Sequence, residues 1–167
     1  FVNVGDYRNV WDELKAEIRD MPKMSVDHMN DFSDTASFAE FAEDKEVKGI
    51  HGFYHKNIFE AVYATNLLMR VSDVLVTKPS ELSFYPVPKL FIKRVGKHEM
   101  WGAIHSSEMG DGTLECRDIP HTLQMVRLFM TDRSLLKGMV DAIRANNEMG
   151  LYNGAYEAVR LAMDMKK

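Results

Sequence analysis

The residues with chemical potential gather in four short polar segments: Gly5-Asp6-Tyr7, Tyr54-His55-Lys56-Asn57, Lys78-Pro79-Ser80-Glu81 and Gly96-Lys97-His98-Glu99. Each follows an apolar run, and three lead directly into a helical pattern. Lys56, Lys78, Lys93, Arg94 and Lys97 place cations in or beside these segments. Free backbone N–H groups at a helix start, together with nearby cations, attract anions. A phosphate-bearing ligand is the chemistry this arrangement suits, and solvated lysines following strands are the plainer reading beside it. His51 falls inside an apolar run and reads as a packed core residue. The 6 histidines do not fall at zinc-ligand spacings, so no metal site is expected. The glycine-rich dinucleotide and P-loop motifs, HExxH and GxSxG are absent.

The elements that must position these segments alternate between short β runs and longer helical ones. Strands are expected near 1–4, 47–54, 73–77, 89–95 and 113–116. Val10, Leu14 and Ile18 recur every four residues and predict a helix ended by Pro22. Residues 22–34 are polar and rich in turn formers, and 37–44 reads as a short helix. A longer helix is expected over 55–70, with Ile58, Val62, Thr65 and Met69 on its buried face. A helix over 99–109 ends at Gly110-Asp111-Gly112. Three more close the chain, marked by Leu123/Val126/Met130, by Leu135/Met139/Ile143 behind a Thr131 or Asp132 cap, and by Tyr156/Val159/Met163. Gly150 reads as the stop between the last two. Strand–helix alternation followed by a helical tail predicts an α/β fold: a Rossmann-like open, mainly parallel sheet, helices on both faces and a helical C-terminal tail. Ligands of such sheets bind beyond the carboxyl ends of the strands, where the four segments fall.

Length and composition bound the function. One α/β domain spanning 1–167 is the natural reading of 167 residues. The formal charge of −4 argues against general nucleic-acid binding. A lone cysteine, Cys116, forms no internal disulfide, reads as a small buried side chain and suits a reducing, cytoplasmic setting. No apolar run reaches membrane-span length. The chain opens on Phe1-Val2-Asn3-Val4, a strand without an initiator Met, so it is expected to lie inside a larger chain.

The stretch from Gly52-Phe53-Tyr54 through Ile58-Phe59-Glu60-Ala61-Val62 to Leu68-Met69-Arg70-Val71-Ser72-Asp73-Val74-Leu75-Val76-Thr77-Lys78-Pro79 resembles the C-terminal half of GT-B type glycosyltransferases. Within that family it is similar to the cell-wall lipid-intermediate N-acetylglucosaminyltransferases and the diacylglycerol sugar transferases. Glu81 resembles the glutamate that holds the donor ribose in that family, and two ribose hydroxyls suit a carboxylate acceptor. His98-Glu99-Met100-Trp101-Gly102-Ala103 resembles the family's H-Q-x-x-N-A segment, which touches donor sugar and phosphates. The resemblance covers residues 46 to about 145. It implies a nucleotide-sugar donor-binding domain of a metal-independent glycosyltransferase, of the hexosyltransferase class if active. Gly5, Asp6, His55, Lys78, Ser80, Glu81, Arg94, His98 and Glu99 are its expected ligand-binding residues. It implies a nucleotide-diphosphate sugar as substrate and no separate cofactor. It also implies a missing N-terminal acceptor domain, through which any peripheral membrane contact would come, and no turnover without that domain.

Three departures stand out. Lys78-Pro79-Ser80-Glu81 lacks the family's glycine run, Glu99 replaces glutamine, and Gly102 replaces asparagine. They favour one alternative, a non-catalytic binding or interaction domain of the same fold. The other alternative is a small unrelated Rossmann-like enzyme with His98 or His55 as acid–base. For a cleft facing a lost domain, Tyr54, Phe84, Tyr85 and Trp101 are the expected exposed aromatics.

Overall fold

A computed structural model of the chain describes residues 1–19, 29–32, 50–55 and 57–165. The chain divides into two compact units, Phe1–Ser72 and Asp73–Lys167. The expected helix over 37–44, Lys56 and the first residues of the strand expected at 47–54 lie outside the described residues.

The first unit holds β1 (Val2–Asn3), α1 (Arg8–Arg19), β2 (Met29–Phe32), β3 (Ile50–Phe53) and α2 (Ile58–Val71). Its strands run parallel in the order β1-β3-β2. β2 falls where the sequence reads as polar turns. Its pairing rests on backbone hydrogen bonds to β3, which a half-polar Met-Asn-Asp-Phe segment supplies as well as an apolar one. Trp11 of α1 is buried over β3, and Gly52 is what admits it: a Cβ at that position would fall 2.3 Å from Trp11 Cζ2. His51 is buried in the strand, as expected of a core residue.

α2 begins behind Asn57, whose side chain accepts a hydrogen bond from Phe59 N at 2.9 Å. It buries Ala61, Ala64 and Leu68, two of which pack with Phe53. This corrects the expected face, because Ile58 and Val62 are exposed. Small alanines let the helix approach the strand closely, so the buried stripe follows them rather than the bulkiest residues.

The second unit holds β4 (Leu75–Thr77), β5 (Lys89–Phe91), α3 (Met100–Met109), α4 (Ile119–Thr131), α5 (Arg133–Glu148) and α6 (Gly154–Asp164), with 3-10 turns at Glu81–Phe84, Lys97–Glu99 and Leu151–Asn153. β4 and β5 are parallel. A third parallel segment lies against β5, through a bridge between Lys89 and Gly112 and the bonds Thr113 N to Lys89 O (3.0 Å) and Cys116 N to Phe91 O (2.8 Å). The expected strand at 113–116 therefore lies alongside β5 without forming a regular ladder. Phe91 N donates to the Thr113 hydroxyl at 3.1 Å, and this side-chain acceptor interrupts the backbone pattern.

β5 stops at Phe91, short of the expected 95, and Ile92, Lys93 and Val95 are exposed. α3 ends at Gly110, whose φ of 73° makes it a left-handed cap. Leu90, Cys116, Phe129 and Met139 form this unit's core, with Met125, Val126, Leu135 and Leu136 packed on it. Leu123 and Met130, expected on the buried side of α4, are exposed. α5 starts behind Asp132, which accepts from Ser134 N at 2.9 Å. The fold is thus mixed α/β, with parallel strands in both units. No described helix is long and apolar enough to cross a membrane.

Candidate functional site

The carboxyl ends of β4 and β5 in the second unit bring three donors onto one acceptor. Lys78 directly follows β4. Val95 and Gly96 lie in the loop after β5 and lead into the Lys97–Glu99 turn. All three meet at Glu99. Its Oε2 accepts from Val95 N at 2.7 Å and from Gly96 N at 3.0 Å, and its Oε1 contacts Lys78 Nζ. The Glu99 side chain is 6% exposed and that of Lys78 is 44% exposed.

The Lys78 ammonium first, and the two amides after it, hold the Glu99 carboxyl down at about 2, far below its ordinary range. It is a carboxylate at neutral pH, with its charge satisfied by the chain itself. Two amides and an ammonium converging on one oxyanion constitute an anion cradle, and here a side chain occupies it.

The other expected residues distribute around this centre. Arg94 pairs with Glu115 at 3.3 Å, across the gap between the loop after β5 and the adjacent parallel segment. His98 is exposed, with its ring over Gly96: a Cβ added there would fall 2.6 Å from His98 Cε1. Ser80 is half-buried, and its carbonyl accepts from Ser83 N at 2.9 Å and from Ser83 Oγ at 2.5 Å. Glu81 opens the next 3-10 turn, and its side chain lies outside the described residues.

Gly102, where the resemblance has asparagine, permits α3 to approach the Pro79–Ser83 backbone. A Cβ there would fall 3.1 Å from Ser83 Oγ and 3.4 Å from the Pro79 carbonyl carbon. Phe84 and Trp101 are strongly exposed, at 66% and 67%, and Tyr85 is half-buried.

Gly5, Asp6 and His55 belong to the first unit, at the carboxyl ends of β1 and β3. Gly5 has a φ of 61°, which its lack of a Cβ permits, and its carbonyl accepts from His55 N at 3.0 Å. The His55 ring lies 5.3 Å from that of Phe53. Asp6 is exposed, and Tyr54 is half-buried. Each expected residue therefore sits beyond the carboxyl ends of its own unit's strands, and only Lys78 and Glu99 touch within the cradle. Sequence reasoning expected free amides at the helix start after Gly96, but not that the Glu99 side chain would take up those of Val95 and Gly96.

It also missed a polar cluster at the amino end of β5. Lys89 and Asp111, 0% and 2% exposed, form an ion pair with Nζ 2.8 Å from Oδ2. The Tyr152 hydroxyl donates to the same oxygen at 2.9 Å. Burial lowers the Lys89 pKa and pushes that of Tyr152 up to about 12. Asp111 Oδ1 has no hydrogen-bond partner among the described residues.

Fold and site together define an α/β protein of parallel strands with a three-donor cradle at one carboxyl edge. Over residues 1–163 the chain matches the family described as Domain of unknown function (DUF6938), and it belongs to that family. No curated protein and no solved structure matches the chain.

Proposed function

We propose that this chain is a nucleotide-diphosphate-sugar-binding domain of a metal-independent glycosyltransferase, with the diphosphate seated at the carboxyl edge of β4 and β5. The observation that carries the reading is that Lys78 Nζ and the Val95 and Gly96 amides gather around one carboxylate, the amides at its Oε2 and the ammonium at its Oε1. Those donors come from loops after two neighbouring parallel strands, where ligands of such sheets bind. In the proposed reaction the sugar passes to an acceptor, and these donors stabilise the departing diphosphate. Lys93 and Lys97, both exposed, add positive charge beside the cradle.

The finer parts of the reading rest on the resemblance to GT-B enzymes. They are the Rossmann-like open sheet, the ribose contact of Glu81, an acceptor domain that completes the active site, and a cytoplasmic setting. Glu81→Ala is expected to weaken nucleotide binding about ten- to a hundredfold, the loss of charge-assisted hydrogen bonds, with folding little changed. A thermal-shift screen with UDP, GDP, ADP and TDP sugars tests the reading, since a ligand that binds the folded state raises the midpoint. A saturable rise with one of them is expected. A flat response to all four sets the donor-binding reading aside.

A second reading, a non-catalytic interaction domain, is favoured by one observation: the Glu99 carboxylate already fills the cradle.

A further inference from the structure

We propose that α6 is a dimerisation helix: its apolar face packs antiparallel against the same face of a second copy of this chain, about a two-fold axis at Val159. The inference goes beyond the donor-binding reading and does not depend on it.

Every residue from Asn153 to Met165 is exposed, and none of α6 is buried. A helix of 11 residues is marginal in water on its own, and packing of an apolar face supplies what propensity does not. Tyr152 anchors the turn before it, its hydroxyl donating to Asp111 at 2.9 Å, so the helix leaves the unit from a fixed root. At 3.6 residues per turn, Ala155, Ala158, Val159 and Ala162 line one face. Tyr156 and Met163 flank it on one side, Leu161 and Met165 on the other. Glu157, Arg160 and Asp164 share the opposite stripe, where Arg160 Nε donates to Glu157 at 3.0 Å.

Size, charge and shape all select a second copy. Tyr156, Met163 and Met165 are 79%, 66% and 88% exposed, and Val159, Leu161, Met149 and Leu151 are exposed beside them. Together these side chains present on the order of 800 Å² of apolar surface per copy, as much as each partner buries in a stable interface. A two-fold axis brings each side chain near its own copy, so a charge at the axis would meet its like. The residue at the axis is Val159, at the midpoint of α6, and the charges lie on the far stripe. In this register Ala155 falls opposite Met163 and Tyr156 opposite Ala162, on both sides of the axis. Large side chains thus meet alanines, and one surface complements itself. A helix that lies in a membrane surface carries lysines and arginines along its polar face. The stripe on α6 has a single arginine, paired with a glutamate.

The test is sedimentation equilibrium of the full chain, parent beside Val159→Glu. The parent is expected to approach twice the chain mass as concentration rises. The variant is expected to stay monomeric, its dissociation constant raised at least about a hundredfold by two carboxylates facing each other at the axis. Val159 is exposed, so the change leaves the core of the unit intact. A parent that is monomeric at every concentration overturns the inference, and its co-sedimentation with phosphatidylglycerol vesicles would assign the face to a bilayer. A Val159→Glu variant that dimerises like the parent also overturns it. Disulfide trapping reads the register without disrupting the face. Under mild oxidation Val159→Cys is expected to give a linked dimer, because that position meets its own copy, while Arg160→Cys on the far stripe stays unlinked. The native Cys116 is buried and takes no part. No link through Val159→Cys, or equal linking through Arg160→Cys, overturns the antiparallel pairing.

Discussion

Glu99 is the residue on which the site turns, and its charge has a consequence for stability. Its carboxyl is held at about 2 in the folded chain against an ordinary 4.5. A depressed folded value means the carboxylate stabilises the fold above the unfolded value, and the contribution fades as pH falls through the folded one. The window therefore runs from about pH 4.5 down to about 2. Thermal midpoints of the parent and Glu99→Gln, compared across that window, are expected to differ most at neutral pH and to converge toward its acid end. A gap that stays constant with pH would remove the charged clamp from the account. The side chains of this centre were legible: Lys78 and Glu99 stand out by type and by position after apolar runs. Its other two donors are main-chain groups of Val95 and Gly96, expected in kind as helix-start amides, while their capture by Glu99 carries no side-chain signal. Arg94 was legible as a cation, but its partner Glu115 lies 21 residues on and meets it only because two segments run parallel.

At the scale of elements, close approach explains what patterning alone did not. Gly52 weakens a strand by propensity, yet β3 needs it, because Trp11 occupies the space a side chain would fill. Gly52→Ala is expected to destabilise the first unit by about 1–3 kcal/mol, the usual range for overpacking, read as a lower denaturation midpoint. The buried stripe of α2 follows the same logic: alanines face the strand, while Ile58 and Val62, stronger by hydrophobicity, are exposed. Helix existence and the parallel strands were readable from periodicity. The strand at Met29–Phe32 was not, because edge pairing through backbone groups imposes no apolar pattern.

The Lys89–Asp111–Tyr152 cluster joins β5, the turn after α3 and the turn after α5 in one buried network. Lys89→Met alone leaves a buried carboxylate without its cation and is expected to cost about 3–5 kcal/mol. The double change Lys89→Met with Asp111→Leu is expected to recover most of that loss, because the desolvation cost of both charges goes with them. Chemical denaturation of the two variants checks the pair. A double variant no more stable than Lys89→Met would contradict the cost assigned to the unpaired carboxylate.

For the molecule as a whole, the distribution of charge matters more than its sum. The chain carries a formal −4, yet Lys78, Lys93, Arg94 and Lys97 all fall in the loops at the carboxyl edge of β4 and β5. The general rule that parallel sheets bind ligands at that edge pointed from sequence to these loops, and Lys78 and Glu99 meet there. The division at Ser72 was not legible, since nothing in composition marks a linker between α2 and β4. The most direct test of the central claim is amide chemical-shift mapping of the full chain with UDP, GDP, ADP and TDP in turn. At least one of them is expected to move the Val95 and Gly96 amides and those flanking Lys78 saturably. Shifts confined to residues 1–72, or no saturable shift with any of the four, would contradict it.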